Sequence, residues 1–183
     1  GVAGGRPGLK RLPLLAVLGW TAFAAAQTTQ FKSDWEKAQE ERDWKEAEFK
    51  LPALPKADAL IEFFVSSANS FKLFVDPLSL SAGADGVVRY TLVARSPSGA
   101  ESVSYEGIRC ASNSYKVYAL GHAGAWSQAR SDWKPIEPRS VQRWHNELGS
   151  RYFCPNRVSV RTAAEGLDAL RLGGHPTLRD VAR

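Results

Sequence analysis

Val87-Val88-Arg89-Tyr90-Thr91-Leu92-Val93-Ala94-Arg95, followed by Ser96-Pro97-Ser98-Gly99 and a return stretch to Cys110, is the part of the chain that decides the fold. In the first half Val88, Tyr90, Leu92 and Ala94 share one face while Arg89, Thr91 and Arg95 share the other, the period of two that marks a half-buried strand. Ser96 to Gly99 then reverses the chain, because Pro presets the φ of a turn's second position and Gly is favoured at its fourth. On the return strand Val103 and Tyr105 fall on one face, and Ile108 and Cys110 are out of phase with them. Gly107 stands at the break, so the pattern predicts a β-bulge there that returns Ile108 and Cys110 to the core side.

The remainder is read by what it packs against this hairpin. At 183 residues and 44% hydrophobic the chain suits one domain with flanking pieces. Residues 1–26 read as a secretory signal: Arg6, Lys10 and Arg11 lead an apolar run from Leu12 to Ala25, and Ala24-Ala25-Ala26 before Gln27 is a small-residue cleavage pattern. The run is too short to span a bilayer, and no Cys follows it to serve as a lipobox. The chain contains no Met, so its start is expected upstream of Gly1. The formal charge of +5 dissolves on inspection. The signal supplies three of those charges and the Arg-rich end from Arg157 supplies two, leaving 27–156 neutral, which argues against a nucleic-acid surface.

In an exported chain, Cys110 and Cys154 read as a single disulfide, with a reactive thiol or a metal pair as the weaker alternative, since no further ligands stand at suitable spacing. They are 44 positions apart. A loop of that size stabilises by up to about 4 kcal/mol in the chain-entropy account.

Four regions are expected: the signal at 1–26, a charged arm with a Pro-rich strap at 27–56, an α+β domain at 57–156, and an Arg-rich tail with a short helix at 157–183. In the arm, high helical propensity covers Glu36 to Glu48, and Trp35 and Trp44 are candidates for burial by a partner, although folding back onto the domain is the simpler reading. Leu51-Pro52-Ala53-Leu54-Pro55 suits an extended strap. Strands are expected at Ile61 to Ser66, Phe71 to Val75 (ended by Asp76-Pro77, with Leu78-Ser79-Leu80 resuming at an edge) and Tyr115 to Leu120, and Asp85-Gly86 is a turn. Around Trp126 and Trp133 the pattern is weak. From Ser140, a capping residue, Val141, Trp144, His145, Leu148 and Tyr152 recur at helical intervals and carry Cys154 to Cys110. The fold expected is one mostly antiparallel, curved sheet of five to six strands packed by one main C-terminal helix.

No G-x-S-x-G, H-E-x-x-H, Walker loop or G-x-G-x-x-G occurs. Ser131 to Lys134 matches S-x-x-K, but Pro135 follows immediately, whereas that nucleophile needs a long helix. His122, His145 and His175 offer no i,i+4 ligand pair, so no metal and no cofactor are expected. Glu106 with Arg109, aided by His122, is a candidate hydrolase or lyase pair, with a structural ion pair as the favoured reading.

Ser104-Tyr105-Glu106-Gly107-Ile108-Arg109-Cys110 resembles a motif of the cryptic neisserial protein family, exported envelope proteins of β-proteobacteria. So do, in the same order, Phe74-Val75-Asp76, Gly86 to Thr91, Tyr152-Phe153-Cys154-Pro155 and Arg161-Thr162-Ala163. The resemblance covers roughly Asp34 to His175. It implies export to the periplasm and a single domain, and adds no catalytic residue. Together these readings favour a non-enzymatic module that binds an envelope protein or component.

Overall fold

The computed structural model describes residues 33–138 and 143–179, together with Gly1 and Gly4. The rest of the expected signal segment and the expected helix start at Arg139, Ser140 and Val141 lie outside the described residues. The chain divides into two units, 1–42 and 43–183. In the first, Ser33 and Glu36 cap each other: the Glu36 amide donates to Ser33 Oγ at 3.3 Å and the Ser33 amide to Glu36 Oε2 at 2.7 Å. They open α1 (Asp34–Asp43), a helix with no apolar stripe on which Trp35 is 70% exposed. The helix expected through Glu48 therefore stops five residues short. From Trp44 to Lys56 the backbone has no regular secondary structure, and it is engaged by partners on the sheet described below.

The second unit is built on an antiparallel sheet whose strands follow chain order: β1 (Ile61–Phe63), β2 (Lys72–Ala82), β3 (Val87–Arg95), β4 (Glu101–Arg109), β5 (Ser114–His122) and β6 (Ala125–Gln128), with the two-residue β7 (Lys134–Pro135) beside the start of β5. The fold is α+β, as expected, with the disulfide Cys110–Cys154 in place at a Cα separation of 5.4 Å. Short turns set the order. Gly86 at φ +75° and Gly99 at φ +85° occupy backbone conformations that a side chain disfavours, and the Gly99 amide closes its turn on Ser96 O at 2.9 Å. Strand β2 does not end at Pro77. It continues to Ala82 through an irregularity between Asp76 and Ser81 that leaves Leu78 81% exposed.

One face of the sheet carries Val75, Val88, Tyr90, Leu92 and Ile108 and is covered by α2 (Trp144–Glu147), which runs on into widened π-type turns at Leu148–Phe153, and by α3 (Ala163–Arg171). The π geometry is visible in the Cys154 amide, which reaches five residues back to Gly149 O at 2.8 Å. That widening lets the adjacent Tyr152 and Phe153 both bury, where an α-helix would turn one outward. α3 begins at Thr162, whose hydroxyl accepts from the Glu165 amide at 3.2 Å, and sends Ala169 and Leu170 into the same core; α4 (Pro176–Arg179) follows His175. The stretch expected as a C-terminal tail from 157 contributes Val160, Ala169 and Leu170 to this core, so α3 packs on the same face of the sheet as the helix that carries Tyr152 and Phe153.

The second correction concerns the other face. β3 is not half-buried: Arg89 and Thr91 are as inaccessible as Tyr90. A second cluster of Tyr105, Tyr118 and Ala119, flanked by Trp126 and Trp133, lies there, and residues 44–54 cross it as a strap. With both faces buried, Tyr105 and Ile108 have no need to share one, and the bulge expected at Gly107 is absent: β3 and β4 pair without interruption from Val87↔Arg109 to Arg95↔Glu101. The irregularity lies instead between β4 and β5, where Tyr105 faces Ala119 and Glu106 faces Val117, so that Tyr118 is the extra residue. Gly107 serves that side chain. A Cβ there would lie 2.7 Å from Tyr118 Oη and 2.9 Å from Val87, so only glycine leaves room for the phenol to lie across β4.

Candidate functional site

The two faces each hold a polar cluster. On the helix-covered face, Glu106 is engaged by three side chains: Ser104 Oγ donates to Oε1 at 2.6 Å, Tyr90 Oη to Oε2 at 3.1 Å, and His145 Nε2 lies 2.8 Å from Oε2. Glu106 and His145 are 4% and 3% exposed, and the imidazole is stacked on Tyr115 with centroids 3.7 Å apart. Burial, and then the adjacent Glu106 carboxylate, push the Tyr90 hydroxyl well above its usual range, so it stays a donor. The arrangement satisfies a buried carboxylate in the manner that lets one persist in a core.

Glu106 and Arg109 do not form a pair. They are three residues apart on a regular strand and point to opposite faces. Arg109 lies on the strap side, where its guanidinium sits 3.9 Å above the Trp44 ring, a cation–π contact. His122 is an exposed residue at the end of β5, far along the strand from Glu106, so the proposed trio is not assembled. His175, itself buried, belongs to a separate group, 3.1 Å from Glu165, whose carboxyl is held low by the Arg161 amide against a burial effect that raises it, with His175 adding to the lowering. Of the two arm tryptophans, Trp44 belongs to the domain: its indole Nε1 donates to Asp85 O at 2.9 Å and its ring meets Trp133 edge to face at 5.8 Å. Trp35 stays exposed on α1.

The strap side carries the second cluster. Arg89 Nη2 bonds Asp85 Oδ2 at 2.6 Å, the Ala47 amide donates to the same oxygen at 2.8 Å, and Glu46 receives Lys116 Nζ at 2.9 Å and Tyr118 Oη at 2.5 Å. Burial raises the Asp85 carboxyl, but the Arg89 hydrogen bond and the Ala47 amide outweigh it and leave it below its ordinary value. At Glu46 burial again raises, and Tyr118 and Lys116 prevail, with the same net lowering. Burial pulls Arg89 down, but Asp85 more than restores it, and the guanidinium stays charged over the Phe49 ring at 5.0 Å.

Beside this network lies a cleft of roughly 790 Å³. Its floor is apolar and aromatic, from Phe49 and Leu51 of the strap and from Tyr118 and Trp126 of β5 and β6. Lys116, Gln128, Arg130, Ser131 and Asp132 form its rim. Trp126 is fixed by a hydrogen bond from its indole to Pro52 O at 2.8 Å, which ties the strap to the sheet at the cleft. An apolar floor with convergent polar groups is the usual make-up of a ligand site. The sequence pattern showed Trp126 without a strand to hold it. What reveals β6 is the tight turn at Ala123 (φ +47°) and Gly124 (φ +78°), a two-residue hairpin of the type in which both central residues need positive φ. Among the described residues no cluster of His, Cys, Asp and Glu could hold a metal ion, and no helix is long and apolar enough to cross a membrane.

The CNP1-like family matches residues 39–171 of this chain. Cryptic neisserial protein 1 of Neisseria gonorrhoeae is 34% identical over an alignment that covers 52% of this chain and 55% of that protein, so the chain spans about half the length of the curated relative it matches. No solved structure matches the chain.

Proposed function

The chain belongs to the CNP1-like family, and from that premise we propose that it is an exported periplasmic module that binds a component of the cell envelope without transforming it. The observation that carries the reading is the cleft beside the strap, with Phe49, Leu51, Tyr118 and Trp126 beneath a rim that includes the exposed Arg130 and Asp132. A disulfide is the bond expected in an oxidising compartment, which supports export through the basic and apolar segment at 1–26. The alternative, a hydrolase or lyase using Glu106 with Arg109, requires both groups on one side of β4, and they lie on opposite sides.

Binding is tested by cosedimentation of the purified protein with isolated envelope fractions and with peptidoglycan sacculi. Arg130→Glu and Asp132→Lys change exposed rim positions and are expected to leave the melting temperature unaltered while reducing retention severalfold. Retention unchanged in both variants, or no retention of the wild type on any fraction, removes the cleft as the binding site. Export is tested by mass spectrometry of periplasmic material, where the mature chain should begin at Gln27; intact chain retaining Arg6 to Ala26 contradicts it.

A further inference from the structure

We propose that the outer edge of β6 pairs with the same edge of a second copy of this chain, joining two sheets across a two-fold axis at Ser127. β6 closes the sheet: β5 pairs with β6 at Ala119 to His122 and with β7 only at Ser114 and Tyr115, and among the described residues no strand lies beyond Ala125–Gln128. The phase of its hydrogen bonds follows from one of them. The Ala129 amide donates to Tyr118 O at 2.8 Å, so residues 118 and 129 form a bonded pair, and with the observed register the bonded pairs continue at 120 with 127 and at 122 with 125. The N–H and C=O groups of Trp126 and Gln128 therefore point away from the sheet. Neither residue has a further backbone partner among the described residues.

Edges of this kind are ordinarily guarded by lysine, proline, a bulge, a covering segment or shortness, and β6, four residues long, has only the last. β6 reads Ala125-Trp126-Ser127-Gln128, with no charge and no proline. An antiparallel pairing centred on Ser127 sets Trp126 opposite Gln128 of the second copy, and the reverse, so all four outward donors and four outward acceptors of the two edges are satisfied in one step. The uncharged strand brings no like charges together at the axis, and Leu120, which pairs with Ser127 in the hairpin and is 50% exposed, supplies apolar surface beside it. The register is self-complementary, so a second copy presents the same uncharged edge and the same outward donors and acceptors. Because Trp126 and Gln128 also line the cleft, the pairing sets the two clefts edge to edge. The proposal is independent of what the cleft binds.

Cysteine cross-linking of the full chain provides the test. In the proposed register Ser127 faces itself in a non-hydrogen-bonded pair, whose close Cβ atoms suit a disulfide. Ser127→Cys should therefore form a covalent dimer under mild oxidation, whereas Ser98→Cys, at the exposed β3–β4 turn, should remain monomeric. Adding Gln128→Pro removes an outward N–H that no internal ladder bond uses, and should weaken pairing about tenfold or more, since each dimer loses two intermolecular hydrogen bonds. Sedimentation equilibrium should show a monomer–dimer equilibrium for the wild type and monomer for Ser127→Glu, which places two carboxylates at the axis and does not depend on the proline variant folding. Cross-linking of Ser127→Cys no faster than Ser98→Cys overturns the proposal. So does a dimer indifferent to both Gln128→Pro and Ser127→Glu, and so does a wild type that stays monomeric alone and pairs its β6 only with another protein.

Discussion

Replacing Trp44 with alanine separates a docked strap from a free arm more sharply than any other change. The indole is half-buried, donates to Asp85 O at 2.9 Å, meets Trp133 edge to face, and lies beneath the Arg109 guanidinium at 3.9 Å. Emptying a fully buried Trp site costs about 3 to 5 kcal/mol, and half-burial brings that to roughly 2. The lost hydrogen bond and the lost cation–π contact add about 1 kcal/mol each, the latter because Arg109 is itself buried. Trp44→Ala should therefore destabilise by about 3 to 4 kcal/mol, or roughly 10 °C in a chain of this size. Trp44→Phe keeps a ring under Arg109 and loses mainly the donor, so its cost should be about 1 kcal/mol. Trp35→Ala, at a position 70% exposed, should leave the transition where it is. The assay is a urea titration followed by far-ultraviolet circular dichroism, so that removing a fluorophore does not bias the readout. Equal midpoints for Trp44→Ala and wild type would show that the strap contributes nothing to the fold, and the account of the second face would fail.

Glu106→Ala leaves Tyr90, Ser104 and His145 facing a vacancy and should cost about 3 to 5 kcal/mol in the same titration, whereas Glu106→Gln keeps the shape and should cost about 1 to 3; equal losses for the two would show that the shape and hydrogen bonds glutamine retains contribute nothing here. Acid should loosen the strap. The folded-state carboxyls of Glu46 and Asp85 are lowered from ordinary values of 4.5 and 3.8, so their contribution is complete above those values and is lost as pH falls through the lower folded ones. The fall in urea midpoint below about pH 4.5 should be shallower in Glu46→Gln combined with Asp85→Asn, and an unchanged slope would remove the network from the account.

How much of this was legible beforehand depends on how local the cause is. The β3–β4 hairpin, the turns at Asp85-Gly86 and Ser96 to Gly99, and the helix carrying Cys154 to Cys110 all rest on patterns within a few residues, and the structure contains each of them. The alternation puts Arg89 and Thr91 on a solvent-facing side, because polar residues at alternating positions ordinarily face water. Arg89 is buried because a segment far away in sequence lies over it, at Ala47 and Phe49, and the same segment is tied down elsewhere: Trp44 to Asp85 spans 41 residues, Glu46 to Lys116 spans 70, and Pro52 to Trp126 spans 74. Gly107 was read as a bulge for the same reason, since the side chain that needs its missing Cβ is Tyr118 on the next strand.

The sequence by itself determined the period of the hairpin strands and the positions of their turns, because each is set by neighbouring dihedrals or by side-chain period, and it favoured a Cys110–Cys154 disulfide that the structure then shows. The tertiary structure alone decided that the sheet is buried on both faces, that Glu106 meets His145 while Arg109 meets Trp44, and that a cleft opens between strap and β6. Those depend on which distant groups come within a few ångströms, and a polar side chain carries no local mark of whether a partner or water will satisfy it.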